Sequence, residues 1–127
     1  MKLYYLGPKG TFSYLAATQY QSETDIDYVS KSNLYEVVAA VSEDDDSIAV
    51  VPIENSIEGT INIVADALTQ QNIYAQGELH LDIQFALYGV DGASVNDISK
   101  VYSIGPAISQ TSKYNPSHGF EIDYVDS

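Results

Sequence analysis

The first half of the chain alternates short apolar runs with segments in which apolar residues recur at helical spacing. Strands are predicted at residues 2–6, 26–29 and 48–53, and helices from about Thr11, from Asn33 and over residues 60–70. The order βαβαβα predicts a parallel sheet flanked by helices. The expected fold class is therefore α/β.

Two of these helices carry signals for their start and their buried face. The first has Phe12, Leu15, Ala16 and Gln19 on one side. In the second, Asn33 and Glu36 have the spacing of a capping box. Its predicted apolar stripe comprises Leu34, Val37, Val38 and Val41.

The pattern changes in the second half. Apolar residues occupy every second position over residues 79–87, which predicts a strand with one buried face. A short helical turn is expected at 94–98, followed by a strand at 100–103, a helix at 106–113 and a strand at 120–125. The sheet is thus parallel or mixed, and we expect a first lobe at residues 1–75 and a second, incomplete lobe at 76–127.

Charge and composition limit the classes of function. The net charge is −13 over 127 residues, which argues against nucleic acid as a partner, since phosphate binding needs a basic face. An anionic ligand would need local donors such as backbone N–H groups. The chain has no cysteine, no apolar run of membrane-spanning length, and an apolar N-terminal run too short for a signal peptide. A cytoplasmic protein without a membrane partner is expected.

Three polar clusters follow predicted strands. Gly7-Pro8-Lys9-Gly10-Thr11-Phe12-Ser13 joins the first strand to a helix, as in loops whose N–H groups bind an anion. The alternative is a plain turn with Thr11 as the N-cap. Glu54-Asn55-Ser56 follows the third strand, where open α/β sheets bind ligands. Its alternative is a loop in which Asn55 or Ser56 caps the next helix.

The third cluster pairs a strand end with the following helix. Ser103 ends a predicted strand, and Gln110 lies one to two turns into the helix behind it. Both side chains can point toward one cleft. The alternative is a helix cap with a surface glutamine.

In this order and spacing the three clusters resemble the prephenate dehydratase family, in particular its staphylococcal and other Firmicute members. The matching segments are Gly7 to Ser13, Pro52 to Gly59, and Ser103 with Gln110. The resemblance implies type II periplasmic-binding-protein-like lobes. It also implies decarboxylating dehydration of prephenate to phenylpyruvate in L-phenylalanine biosynthesis, with no cofactor and no metal.

The chain also departs from the family pattern. Ile104-Gly105-Pro106 stands where the family often has His-Pro-Gln. The family's later Thr-Arg-Phe motif, whose threonine is usually assigned as the key acid, has no counterpart, and the chain contains no arginine. The phenylalanine-sensing ACT domain has no counterpart either. The chain is therefore expected to resemble the N-terminal part of the enzyme and to be weak or inactive alone.

The resemblance also implies roles for individual residues. Asn55 and Ser56 are expected to orient the substrate near its departing hydroxyl, and Ser103 and Gln110 to hold it as well. Substrate binding is further expected at Gly10, Thr11, Ser13 and Glu54, with Thr11 taking a carboxylate. Glu54 is interpreted as more structural, because a carboxylate repels a dianionic substrate.

Two alternative functions fit the same sequence. A two-lobed receptor would bind a small anion without chemistry. An inert fragment would assemble as a homo-oligomer through exposed strand edges.

Overall fold

A computed structural model describes residues 1–20, 24–57 and 59–125. The chain divides into two compact units, Met1–Asp82 and Ile83–Ser127, and each is described by itself. The lobe boundary expected between residues 75 and 76 stays a prediction.

The first unit is built around a three-stranded parallel sheet. Its elements are β1 (Lys2–Leu6), α1 (Phe12–Gln19), β2 (Asp27–Lys31), α2 (Leu34–Glu43), β3 (Ser47–Val50), β4 (Glu54–Asn55), β5 (Gly59–Thr60) and α3 (Asn62–Gln70). The strand order is β2-β1-β3, and β1 is parallel to both neighbours. The predicted α/β class and the parallel sheet are confirmed.

The core of this unit lies on the central strand. Leu3 and Tyr5 project from one face of β1 and pack with Ala17 of α1, all three being buried. Tyr4 projects from the other face, because side chains alternate along a strand, and α2 also packs against β1. Burial of both faces of β1 fixes its register against β2 and β3.

Both predicted helix starts are confirmed. Thr11 is the N-cap of α1, and its Oγ1 accepts a hydrogen bond from the backbone N–H of Tyr14 over 3.2 Å. Asn33 caps α2 through its Oδ1, which accepts from the backbone N–H of Glu36 over 2.9 Å. The Glu36 carboxylate in turn accepts from the N–H of Ser32.

The buried face predicted for α1 is partly wrong. Phe12 and Leu15 are exposed by 44% and 50%, whereas Ala16 and Ala17 are buried. The helix is only eight residues long and presents its small residues to β1, so the contact is close and the large residues remain outside it. For α2 the prediction holds at Val37 and Val38, which are buried.

The second unit contains a smaller parallel sheet. After a 3-10 turn (Val95–Asp97) come β6 (Lys100–Ser103), α4 (Gly105–Gln110), α5 (Tyr114–His118) and β7 (Glu121–Tyr124). Strand β6 pairs with β7 in parallel register. Among the described residues no helix is long and apolar enough to cross a membrane.

Two predictions for this region are wrong. Residues 79–87 form no strand, since the described part of the chain offers them no neighbouring strand to pair with. The helix expected at 106–113 ends at Gln110, and α5 begins at Tyr114. The intervening residues form a hydrogen-bonded turn, in which the Thr111 hydroxyl donates to the carbonyl oxygen of Ala107 over 2.8 Å.

Candidate active-site residues

The loop between β1 and α1 holds three of the predicted site residues. Gly10 adopts a φ of 94°, in the left-handed region that favours glycine. Thr11 follows as the N-cap, and Ser13 lies in the first turn of α1, half-buried. The loop therefore aims the first turn of a helix at the carboxyl edge of the sheet, where N–H groups favour an anion.

The Thr11 hydroxyl is engaged twice within the protein. It donates to the carbonyl oxygen of Leu6 over 3.1 Å and accepts from the N–H of Tyr14. A hydroxyl has a single proton to donate, so while the bond to Leu6 holds, it has none for a substrate carboxylate. Within this loop the Ser13 hydroxyl and the first-turn N–H groups are the better donors.

The start of the same loop is fixed by close backbone packing. The N–H of Gly7 donates to the carbonyl oxygen of Lys31 over 2.9 Å. A Cβ at Gly7 would lie 2.8 Å from the Cβ of Ser30 and 3.4 Å from the Lys31 carbonyl oxygen. Only glycine lets the loop leave β1 this close to the end of β2.

The loop also carries a cation, Lys9, which is not among the predicted site residues. The ammonium of Lys9 lies 5.5 Å from the centre of the Tyr14 ring, within the range of a cation–π interaction. Lys9 immediately precedes Gly10, so it carries positive charge next to the predicted anion-binding turn. The sequence signal for such a role is the position of Lys9 between Gly7 and Gly10, in a loop of the type that binds anions.

Glu54 and Asn55 form the short strand β4, which pairs antiparallel with β5 in a hairpin just beyond β3. The side-chain oxygen of Asn55 accepts from the backbone N–H of Ile57 over 2.8 Å and so stabilises the turn. That bond orients the side-chain amide, whose Nδ2 group is its hydrogen-bond donor. Glu54 and Ser56 are exposed, and Asn55 is half-buried.

The alternative that Asn55 or Ser56 caps the following helix is wrong. The N-cap residue of α3 is Ile61, which has no side-chain capping bond. The N–H of Ile61 instead donates to the carbonyl oxygen of Ile53 over 2.9 Å, which closes the base of the hairpin. The three polar residues therefore belong to the hairpin and not to the helix.

The sheet topology brings the two clusters of the first unit to one edge. Strands β1 and β3 are neighbours and run in the same direction, with Tyr5 opposite Val50. The loop holding Gly10 and Thr11 follows β1, and the hairpin holding Asn55 follows β3. Both therefore emerge at the carboxyl ends of adjacent parallel strands, where open α/β sheets bind ligands.

Ser103 and Gln110 both lie in the second unit. Ser103 is the last residue of β6, and its carbonyl oxygen accepts from the N–H of Val125 over 3.1 Å. Gln110 is the last residue of α4, and both residues are half-buried. Pro106 lies between them in the sequence, near the start of α4. Its fixed φ favours the first turn of a helix at that point.

The second unit also has two grooves, of about 400 and 360 Å³. The larger lies along α4, α5 and β7 and is lined by residues including Ile108, Phe120 and Tyr124. Neither groove is lined by Ser103 or Gln110. The predicted site residues of this unit therefore line neither of these two grooves.

Charged side chains away from the predicted site residues pair with one another. The ammonium of Lys2 lies 2.8 Å from the Asp44 carboxylate, which also accepts from the Tyr4 hydroxyl over 3.0 Å. These hydrogen bonds lower the pKa of Asp44, and that from Lys2 is the main cause. Lys100 lies 3.2 Å from Asp123 and 3.3 Å from Glu121, and both carboxylates raise its pKa.

The two histidines have ordinary structural contacts. His118 stacks on Phe120 at 5.3 Å between ring centres, and His80 lies 4.0 Å from Glu78 in an exposed position. Among the described residues no three histidine, aspartate or glutamate side chains gather as a metal site would require.

The chain matches a known protein family over nearly its whole length. Residues 3–127 match the model of the family described as Prephenate dehydratase. A prephenate dehydratase of Methanocaldococcus jannaschii is 38% identical over 126 residues, which are 97% of this chain and 44% of that protein. A bifunctional chorismate mutase/prephenate dehydratase of Escherichia coli K12 is 32% identical over 129 residues, which are 99% of this chain and 33% of that protein.

A solved structure is similar over the whole chain. The crystal structure of the prephenate dehydratase from Staphylococcus aureus subsp. aureus Mu50 has 67% sequence identity and a TM-score of 0.87. The match covers 100% of this chain and 48% of that one. The chain thus spans about half the length of this relative, and less of the two enzymes above.

Proposed function

This chain belongs to the prephenate dehydratase family, and we propose that it forms the N-terminal part of a catalytic domain that converts prephenate to phenylpyruvate. The observation that carries the proposal is that the hairpin of Glu54 and Asn55 and the Gly10 loop follow the carboxyl ends of two adjacent parallel strands. Two polar clusters at one sheet edge suit a small polar substrate.

The chemistry needs hydrogen-bond donors more than it needs a base. Prephenate loses a ring hydroxyl and a carboxylate, so the products are phenylpyruvate, water and carbon dioxide. The electrons of the breaking carbon–carbon bond complete the aromatic ring, and the departing hydroxide takes up a proton. A donor placed at the departing oxygen stabilises the charge that develops there.

We assign the roles accordingly. The Nδ2 group of Asn55 and the hydroxyl of Ser56 orient the departing hydroxyl, and Asn55 is pre-oriented by its bond to Ile57. The Gly10 loop binds a substrate carboxylate through the Ser13 hydroxyl, first-turn N–H groups and the charge of Lys9. Thr11 holds that loop in place. Ser103 and Gln110 are proposed to bind the same substrate on the strength of the family resemblance.

We also propose that the chain forms lobes of the type II periplasmic-binding-protein kind and is located in the cytoplasm. We propose no nucleic-acid or membrane partner for it. The net charge of −13 supports the exclusion of nucleic acid.

The test is a chimera. Residues 1–127 replace the matching part of the S. aureus enzyme, whose remaining half supplies the segments that this chain does not match. We expect the chimera to form phenylpyruvate from prephenate, with the natural S. aureus enzyme as the positive control. The 127-residue chain alone is assayed beside it and is expected to be weak or inactive.

A correctly folded chimera that forms no phenylpyruvate would contradict the proposal. Circular dichroism and solution mass, compared with those of the S. aureus enzyme, establish that it is folded. Binding of prephenate without turnover in the same chimera would favour the non-catalytic binding module.

A further inference from the structure

Tyr14 of α1 contacts the Gly10 loop through both its backbone and its ring. Its N–H donates to the Thr11 hydroxyl oxygen over 3.2 Å, and its ring centre lies 5.5 Å from the Lys9 ammonium. The second distance is within the range of a cation–π interaction. Tyr14 therefore contacts both of the residues that flank Gly10.

The ring of Tyr14 is itself held by the core of the first unit. Its centre lies 5.4 Å from that of the Tyr5 ring and 6.2 Å from that of the Tyr28 ring. Tyr5 is buried and packs with Leu3 and Ala17. Aromatic pairs at such separations contribute stability beyond the apolar area that they bury. The Tyr14 ring thus has a defined position and offers a fixed contact to the flexible side chain of a lysine.

An aromatic ring holds an ammonium group without cancelling its charge. Lys2 and Lys100 lie within 3.3 Å of carboxylates, so their positive charges are neutralised locally. The ring of Tyr14 is uncharged, and its contact leaves the positive charge of Lys9 in place next to Gly10. In a chain of net charge −13, this local charge favours an anion at the loop against the overall field.

We propose that Tyr14 is a positioning residue, which holds the ammonium of Lys9 at the Gly10 loop so that it can bind a carboxylate of prephenate. The inference rests on the proposed function, from which it takes the substrate and the role of Lys9. In this role Tyr14 acts through Lys9. Its loss should therefore weaken substrate binding and leave the chemical step nearly unchanged.

The first test is the position of the Lys9 side chain in solution. Protons over the face of an aromatic ring are shielded, so in the chain with isotope-labelled lysine the Lys9 Cε protons should resonate upfield of those of the exposed Lys113. Loss of the signal in Lys9→Met assigns it. Tyr14→Phe should keep the upfield shift, and Tyr14→Leu should remove it. A Lys9 signal without this shift, or a shift that Tyr14→Leu leaves in place, would overturn the proposal.

The second test is kinetic and uses the chimera with the S. aureus half. Tyr14→Leu keeps the backbone N–H that donates to Thr11 but should raise KM about two- to fivefold with little change in kcat, as expected for Lys9→Met. Tyr14→Phe keeps the ring and should retain the parent KM.

Tyr20→Leu is the matched control for the loss of a packed tyrosine. Tyr20 also packs against the core cluster, but it lies at the other end of α1 as its C-cap residue. We expect Tyr20→Leu to leave KM unchanged. Equal KM increases in Tyr14→Leu and Tyr20→Leu would show a general packing effect and contradict the positioning role.

A double-mutant cycle shows whether Tyr14 acts through Lys9. In the Lys9→Met chimera the ring has no ammonium to hold, so adding Tyr14→Leu should leave KM unchanged. Simple additivity of the two substitutions would contradict the proposal.

Failure of the proposed function gives a different result. If the folded chimera binds prephenate without forming phenylpyruvate, the proposed function fails, and the same cycle is read from the Kd of prephenate by calorimetry. A folded chimera that does not bind prephenate at all would overturn both proposals.

Discussion

The hydroxyl of Thr11 donates to the carbonyl oxygen of Leu6 over 3.1 Å, which ties the N-cap of α1 to the last residue of the central strand. The same oxygen accepts from the backbone N–H of Tyr14. One side chain thus fixes both ends of the loop that carries Gly10. This arrangement gives Thr11 a role in positioning the loop.

Replacing Thr11 should therefore affect stability first. Thr11→Val removes the hydroxyl but keeps the shape, and we expect the free energy of unfolding to fall by about 1–2 kcal/mol through loss of the cap. Thr11→Ser retains both hydrogen bonds and serves as the control. Urea unfolding of the chain measures the difference. Equal stability of the Val variant and the parent would show that the capping bonds contribute nothing.

Asn55 is expected to combine a structural and a catalytic role that substitution can separate. Asn55→Asp keeps an oxygen for the N–H of Ile57 but loses the Nδ2 donor, whereas Asn55→Ala loses both. In the chimera with the S. aureus half, both variants should lower turnover about 100-fold or more. The Ala variant should also lose about 1 kcal/mol of stability, because it removes the acceptor for the N–H of Ile57.

Asn72→Ala, at an exposed position after α3, is the matched control and should keep full turnover. Unchanged turnover in Asn55→Asp would remove the Asn55 amide from the catalytic machinery.

Lys9 should contribute to substrate affinity more than to the chemical step. Its ammonium lies over Tyr14 next to the turn proposed to bind an anion, and Lys9 is exposed to solvent. Lys9→Met in the chimera is expected to raise KM about two- to fivefold with little change in kcat, since an exposed charge contributes up to about 1 kcal/mol. Lys113→Met is the control for removing one exposed positive charge. Equal KM values for the two variants would exclude a local role of Lys9.

The contact between Lys2 and Asp44 should make the stability of the first unit depend on pH. The pKa of Asp44 is lower in the folded than in the unfolded chain, mainly through the hydrogen bond from Lys2. This contribution is therefore present above the unfolded value of about 4 and is lost as the pH falls through the lower, folded value.

We expect Asp44→Asn to lower the unfolding midpoint at neutral pH and to differ less from the parent as the solution becomes acidic. Thermal unfolding of both chains over this pH range measures the difference. A difference that is constant down to the lowest pH would contradict the assignment.

Gly7 should tolerate no side chain unless its neighbour becomes smaller. Gly7→Ala places a methyl group 2.8 Å from the Cβ of Ser30, and we expect a loss of about 1–3 kcal/mol through overpacking. Ser30→Gly removes the clashing Cβ, so Gly7→Ala should cost less stability in the Ser30→Gly chain than in the parent chain. Denaturant unfolding of the four chains forms a double-mutant cycle. Simple additivity of the two changes would contradict the predicted clash.

The three sheet strands and the three helices of the first unit could be predicted because local and global signals agree there. Leu3 and Tyr5 lie in an apolar run bounded by a glycine, and Thr11 and Asn33 are caps whose side chains act within three residues. Such signals depend on neighbours along the chain, so they survive without knowledge of the fold. The family could be predicted for the same reason, since its segments are contiguous.

The wrong predictions concern contacts between distant residues. The alternation at 79–87 indicates a strand, yet a strand forms only where a second one supplies hydrogen bonds. Phe12 and Leu15 remain exposed because α1 buries its small residues instead, with Ala17 packed on Leu3 and Tyr5 of β1. The hairpin of Glu54 and Asn55 depends on a hydrogen bond from the N–H of Ile61 to the carbonyl oxygen of Ile53, which no local sequence pattern predicts.

The order of the three sheet strands and their helices, the helix starts and the three polar clusters follow from local sequence patterns, because each depends on residues a few positions apart. Three features follow only from the folded backbone: the bond from the Thr11 hydroxyl to Leu6, the place of Asn55 in a hairpin, and the position of Lys9 over Tyr14. The reason is physical: a hydrogen bond or ring contact depends on where the folded backbone places two groups, and many placements share one local pattern.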